Sequence, residues 1–225
     1  EIPPESLVHA PYNPVVSEEL VIDAKKLNIG INGRGKVQML PNIAGFVGAD
    51  TAGVLLAADF DREDELSLVI DIGTNGEMVM GNKDRMIACS TAAGPAFEGA
   101  RIEMGMRAGS GAIDHVFADE NGSISCSVLE DEEPKGICGS GLLDAVAVLL
   151  ETGRISGFGK IGGGDKYFLK GNVFISQKDI REVQLAKGAI AAGIELMDTD
   201  AGTDFGAFSK LMLGWYRKNQ ISVYD

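Results

Sequence analysis

An apolar run, Leu66-Ser67-Leu68-Val69-Ile70, leads straight into Asp71-Ile72-Gly73-Thr74-Asn75-Gly76-Glu77. That junction constrains the fold more than any other stretch. Five apolar or small residues before a turn read as a short strand buried on both faces. The Asp-x-Gly-Thr-x-Gly that follows reads as a hairpin turn returning into Met78-Val79-Met80 and, past Gly81–Arg85, into Met86–Cys89. A carboxylate at a strand end, followed by a glycine-bearing turn, also suits a second purpose. Successive backbone N–H groups in such a turn cup anionic oxygens, and the aspartate can hold Mg²⁺ or its water shell. Glycine lets an anion approach the backbone. Aspartate and asparagine favour turns for their own sake as well, so the segment alone supports both an anion nest and an ordinary hairpin.

Around this junction the chain alternates strands and helices. A helix is expected at Ser17–Leu27, with Ser17 as N-cap and Glu18 and Glu19 in its first turn, and a strand at Lys36–Leu40, stopped by Pro41. Ala49–Phe60 and Ala96–Arg107 read as helices, and Ala112–Phe117 and Ser123–Val128 as strands flanking a turn at Asp119–Gly122. Ser140–Thr152, apolar on every side and closed by Gly153, reads as a buried helix. Ser176 with Asp179 forms a capping box for a helix to about Met197.

Two further segments are candidates for chemistry. Gly136-Ile137-Cys138-Gly139-Ser140-Gly141 opens a buried helix, where a glycine-rich loop can receive a phosphate, ribose or base edge. The same glycines also suit close helix packing, and no Gly-Lys-Ser/Thr follows to make a Walker A loop. In Thr91-Ala92-Ala93-Gly94-Pro95-Ala96-Phe97-Glu98-Gly99, Glu98 falls at an expected helix start. There it can either face a nucleotide held by the other loops or stabilise the helix dipole, a contribution of about 0.3–1 kcal/mol.

Composition removes other classes. The 225 residues carry 20 basic and 33 acidic side chains, a net charge of −13, so there is no basic stripe for nucleic acid. Cys89, Cys126 and Cys138 form no CxxC pair, which argues against a disulfide framework, a zinc site or an iron–sulfur ligand set. His9 and His115 are isolated in sequence, leaving no hydrolase triad or HExxH motif. No stretch approaches a membrane span of about 20 residues and no signal peptide opens the chain. The expectation is a soluble, reduced, cytoplasmic protein with an upstream segment before Glu1. Thirty glycines in short clusters between apolar runs point to tight loops or close-packed helices.

Taken in order, the segments resemble an actin-like ATPase. In that superfamily a small-residue connecting helix, here Gly48–Ala58, precedes the second phosphate hairpin, and a glycine-rich adenosine loop follows. Pro41–Thr51, the DIGTNGE hairpin, Ser90–Gly99 and GICGSGLLDAV are more narrowly similar to the C-terminal domain of the reductive activators of corrinoid proteins, over residues 6–197. The resemblance implies an α/β fold, with the ribonuclease-H-like sheet of the second lobe flanked by helices. It implies residues 1–65 as connecting region and connecting helix, 66–197 as nucleotide-binding lobe and 198–225 as a divergent tail. Asp71, Gly73, Thr74, Asn75 and Gly76 match the second phosphate hairpin, with Asp71 toward Mg²⁺, and Gly139, Ser140 and Gly141 match the adenosine side. Asp50 corresponds to the position that orients water or metal.

The implied activity is ATP hydrolysis, to ADP, driving the return of a Co(II) corrinoid to Co(I). The expected partners are ATP, a corrinoid protein and, in a homodimer, a second copy; nucleic acid and membrane are not expected. The first phosphate hairpin and the cysteines of a [2Fe-2S] module belong upstream of this sequence. A non-catalytic lobe that docks a corrinoid partner, and an actin-superfamily small-molecule kinase, remain the alternatives. Beyond Met197 the chain departs from the family pattern, with Asp198, Asp200 and Asp204 among small residues and then an amphipathic Phe205–Tyr216 that holds the sole tryptophan, Trp215. As an appendage this tail should be removable: deleting 198–225 should leave the Tm within a few degrees, and a large drop would mean that Trp215 and its neighbours close the core.

Overall fold

A computed structural model describes residues 5–8 and 12–201, with 198–201 described in backbone only. The Phe205–Tyr216 stretch and His9 lie outside the described residues. The chain divides into two compact units, Glu1–Asp71 with Glu77–Ser90, and Ile72–Gly76 with Thr91–Asp225.

In the first unit, β1 (Leu20–Asp23) pairs antiparallel with β2 (Lys36–Met39), with Leu20 opposite Met39 and Asp23 opposite Lys36. The helix expected at Ser17–Leu27 is therefore a strand and a 3-10 turn, Ala24–Leu27, ending on left-handed Asn28. Adjacent Val21 and Ile22 favour the extended backbone, and β2 satisfies it, whereas three turns of isolated helix would be marginal in water. Helix α1 (Ala49–Ala57) follows, then a 3-10 turn that buries Phe60. Strands β3 (Ser67–Ile72), β4 (Gly76–Asn82) and β5 (Arg85–Thr91) form a sheet in that order. Met78, Val79 and Met80 of β4 are its core. β3 is half-buried along its length rather than covered on both faces, because it is an edge strand of this sheet. At the β4–β5 turn the Asn82 side-chain oxygen accepts the N–H groups of Asp84 (3.1 Å) and Arg85 (3.2 Å). Lys83 ties this turn to the chain before β3, through its N–H to the Glu63 carbonyl (2.8 Å) and its ammonium to Asp64 (2.5 Å).

The second unit contains β6 (Ala112–Ala118), β7 (Ile124–Val128) and β8 (Gly136–Ile137), in the order β7-β6-β8, antiparallel then parallel. Helix α2 (Gly139–Glu151) buries Leu142, Ala145, Val148 and Leu149 but leaves Leu150 41% exposed, so one face is covered rather than all. It ends on Thr152, with Gly153 at φ +71° as its left-handed stop. A hairpin of β9 (Lys166–Lys170) and β10 (Val173–Ser176) follows the glycine cluster at 157–164, and α3 (Gln177–Ala201) follows that. α3 buries Ile180, Val183, Ala186, Ile190, Ile194 and Met197, a stripe at helical spacing.

No helix forms at Ala96–Arg107. Gly99 (φ +80°) and Arg101 (φ +66°) leave the helical region, and the Gly99 and Gly105 backbones touch so closely that a Cβ on either would collide with the other strand of the loop. The loop is stitched to β8 instead, by Met106 N–H to Ile137 O (2.9 Å) and Ile137 N–H to Met104 O (2.8 Å).

The capping box does more than start a helix. Asp179 is fully buried; one carboxylate oxygen accepts the Ser176 N–H (2.8 Å) and the other the Glu103 N–H (2.9 Å), while Asp179 N–H donates to the Ser176 hydroxyl (3.2 Å). One side chain thus fixes the start of α3 and the loop before β6. Asp179→Ala would leave the buried Ser176 N–H and the Glu103 N–H without their acceptor, at a loss of about 2–4 kcal/mol. Thermal unfolding should show the Tm lowered by roughly 5–12 °C, with Asp179→Asn intermediate.

Candidate functional site

The tip of the β3–β4 hairpin, Ile72–Gly76, packs with the second unit, and its two strands belong to the first. Thr74 and Asn75 are exposed at the tip, where the Gly73 N–H donates to the Asn75 carbonyl (2.9 Å). The two glycines have different reasons. Beside Gly73 the direction of a Cβ is open, with Asn75 O the nearest atom at 3.8 Å, so glycine leaves a cradle that a side chain would fill. A Cβ on Gly76 would press on Thr91 Oγ1 (3.0 Å) and Ile190 (3.2 Å), so that position answers to packing. Asp71, half-buried, stands on β3 immediately before the tip.

The segment after β5 holds the tip in place. Gly94 N–H donates to the Thr74 carbonyl (2.8 Å), and the Thr74 hydroxyl hydrogen-bonds the Glu98 carboxylate. Ala93, Ala96 and Phe97 are buried and anchor the segment, leaving Glu98 exposed. With no helix there, Glu98 has no dipole to stabilise, and its carboxylate lies at the hairpin tip instead.

The glycine-rich start of α2 reaches the same segment. A Cβ on Gly139 would run into the Phe97 carbonyl, and one on Gly141 into the Ile113 carbonyl. The Ser140 hydroxyl donates to the Asp114 carbonyl (2.9 Å). The N-cap residue of α2, Cys138, makes no side-chain capping bond, and the first N–H groups of the helix carry the positive end of its dipole. Three loops far apart in sequence therefore meet within the second unit: the hairpin tip, the Gly94–Glu98 segment and the start of α2.

Asp50 belongs to the first unit, in the first turn of α1, where its carboxylate accepts the Thr51 N–H (2.9 Å). A Cβ on Gly48 would lie 2.7 Å from that carboxylate, so glycine makes room for it. Next to it the Thr51 hydroxyl is buried, with 1% of the residue exposed, and has no hydrogen-bond partner among the described residues. A buried hydroxyl of that kind is completed by a water or ligand oxygen. A cavity of about 470 Å³ in the same unit, lined by Leu55, Leu56, Val79 and Met86, is apolar apart from Asp61 and offers an anion nothing.

One pair escaped the sequence. His115 Nδ1 lies 2.9 Å from the Asp144 carboxylate, which also accepts the Val116 N–H (3.3 Å). Asp144 and Ser140 are four residues apart on α2, so both latch one helix face to β6.

Metal chemistry is limited by the donors. Among the described residues no three His, Cys, Asp or Glu side chains gather as a metal cage. Mg²⁺ fits such a surface, since it takes one or two carboxylates and completes its shell with water and phosphate. Among the described residues the three cysteines do not gather as a ligand set: Cys138 is buried, and burial pushes the Cys89 and Cys126 thiols up. No helix among the described residues is long and apolar enough to cross a membrane.

Both the sequence and the fold have counterparts among known proteins. Residues 65–214 match the family model described as the C-terminal domain of RACo, the ASKHA domain, and residues 1–63 match the RACo middle region. A corrinoid activation enzyme, RamQ, from Eubacterium limosum is 36% identical over all of this chain and 42% of its own length. A [Co(II) methylated amine-specific corrinoid protein] reductase from Methanosarcina barkeri is 35% identical over 73% of this chain and 34% of its own. The solved structure of a reductive activator for corrinoid,iron-sulfur protein superposes with a TM-score of 0.77 at 38% identity, over 88% of this chain and 35% of that one. The fold is the actin-like ASKHA fold, and the chain spans about two fifths or less of the proteins it matches.

Gly141 separates packing from ligand contact. Gly141→Ala should lower the Tm by several degrees, through overpacking worth about 1–3 kcal/mol against the Ile113 carbonyl. An unchanged Tm by calorimetry would leave nucleotide approach as the reason for glycine.

Proposed function

The chain belongs to the RACo family, carrying its middle-region and ASKHA sequences, and we propose that it is the nucleotide-binding part of an ATP-dependent reductive activator that returns a Co(II) corrinoid protein to Co(I). The observation that carries this reading is the meeting of the hairpin tip with the Gly94–Glu98 segment and the start of α2. It assembles, from three separate loops, an open backbone cradle, a hydroxyl donor and a helix N-terminus, which is the chemistry an anionic nucleotide needs.

In this reading the lobe at 66–197 holds the nucleotide. Backbone N–H groups of the Gly73–Gly76 turn, other than the Gly73 N–H held by the Asn75 carbonyl, and the Thr74 hydroxyl take phosphate oxygens, and Gly139–Gly141 receive the adenosine side. Asp71 would hold Mg²⁺, whose charge would offset that developing on the phosphoryl group. Asp50, with the partnerless Thr51 hydroxyl beside it, positions water. Hydrolysis to ADP and phosphate drives the transfer of one electron to Co(II), and that electron comes from the [2Fe-2S] module expected upstream of this sequence. The protein acts in the cytoplasm on a corrinoid protein partner.

The intact protein tests this with an electron donor, ATP and its corrinoid protein, by following Co(II) to Co(I) in the visible spectrum. Asp71→Asn should lower kcat for ATP hydrolysis at least about 10²-fold with the fold retained, and should stop Co(I) formation. Hydrolysis within about threefold of the parent would remove the hairpin from the mechanism. Corrinoid binding without ATP turnover by the parent would favour the docking-lobe alternative.

A further inference from the structure

Glu98 places a negative charge where an anion is expected. Its carboxylate accepts the hydroxyl of Thr74, at the tip of the hairpin whose backbone forms the cradle. The segment that bears it cannot carry the charge away. At one end Gly94 N–H is bonded to the Thr74 carbonyl (2.8 Å), and at the other the Phe97 carbonyl abuts Gly139 at the start of α2. Ala93, Ala96 and Phe97 are buried between these two anchors. Only the exposed side chain of Glu98 is left to move, over a distance set by its own length.

A phosphate entering the cradle therefore meets a like charge tethered beside the tip and competes with it for the Thr74 hydroxyl. Two anions share a site of this kind only when a cation lies between them or one is protonated. We propose that Glu98 is a specificity-determining residue of the hairpin site, admitting a phosphate group as its divalent-metal complex and rejecting the free anion. The inference rests on the nucleotide reading of the hairpin and adds a second carboxylate, after Asp71, through which the site demands a metal. Without phosphate, Glu98 occupies the Thr74 hydroxyl as an internal anion; with the metal complex, the hydroxyl passes to phosphate and the carboxylate faces the metal's water shell.

The experiment compares ADP binding by the intact protein, by calorimetry, with excess Mg²⁺ and with EDTA, for the parent, Glu98→Gln and Glu98→Asp. Glu98→Gln should strengthen metal-free ADP binding about fivefold or more, the attraction released when one like charge near solvent is removed. Binding with Mg²⁺ should change less, so the ratio of the two affinities narrows. Glu98→Asp, which keeps the charge, should keep most of the parent ratio, and circular dichroism checks that both variants are folded. Added salt should shrink the Glu98→Gln effect, as screening of exposed charges requires. Metal-free affinity for Glu98→Gln within about twofold of the parent would overturn the role of Glu98 and leave Asp71 as the source of any metal dependence. Failure of the parent to bind ADP with Mg²⁺ present would instead overturn the nucleotide reading itself, and the inference with it.

Discussion

Backbone meeting backbone, with no room for a Cβ, is the constraint on which the second unit depends. Gly139 lies against the Phe97 carbonyl and Gly141 against the Ile113 carbonyl, a Cβ on Gly136 would stand 2.6 Å from Met104 O, and Gly99 lies against Gly105. Each contact brings two segments closer than side chains allow, and together they draw α2, β8 and the loop after β5 into one assembly. Bulk would push these segments apart and with them the hydroxyl, carboxylate and helix terminus they carry. Five of the chain's thirty glycines serve here.

Much of the frame was legible because local signals agreed with one another. The Ser176–Asp179 box, the Gly153 stop and the Asp119–Gly122 turn each specify their own geometry from a few neighbouring residues, and each forms where the pattern puts it. The errors fall where a distant partner decides. Leu20–Asp23 is a strand because Lys36–Met39 pairs with it, and 96–107 is a loop because β8 and Asp179 take its backbone groups. β9 and β10 follow a cluster of glycines, and their pairing is visible only in space.

The same division runs through the candidate site. That the hairpin, Glu98 and the start of α2 belong together came from their order along the chain, through the family resemblance. What Glu98 touches did not. Its expected helix is absent, and its bond to Thr74 crosses 24 residues. His115 looked solitary for the same reason, since Asp144 is 29 residues away. Sequence spacing reports neighbours along an element, whereas these contacts are made between elements.

Gly94 shows a requirement of another sort. Its φ is +81°, yet nothing lies within 4 Å of where a Cβ would stand, so volume is not what excludes a side chain there. The restriction is one of handedness: an L-residue disfavours that torsion, and its mirror image prefers it. A D-alanine introduced by chemical synthesis would meet no obstacle and would narrow the torsional freedom of the unfolded chain. The bond from position 94 to the Thr74 carbonyl would then be held by stereochemistry, in a place where the genetic code has only an achiral residue to offer.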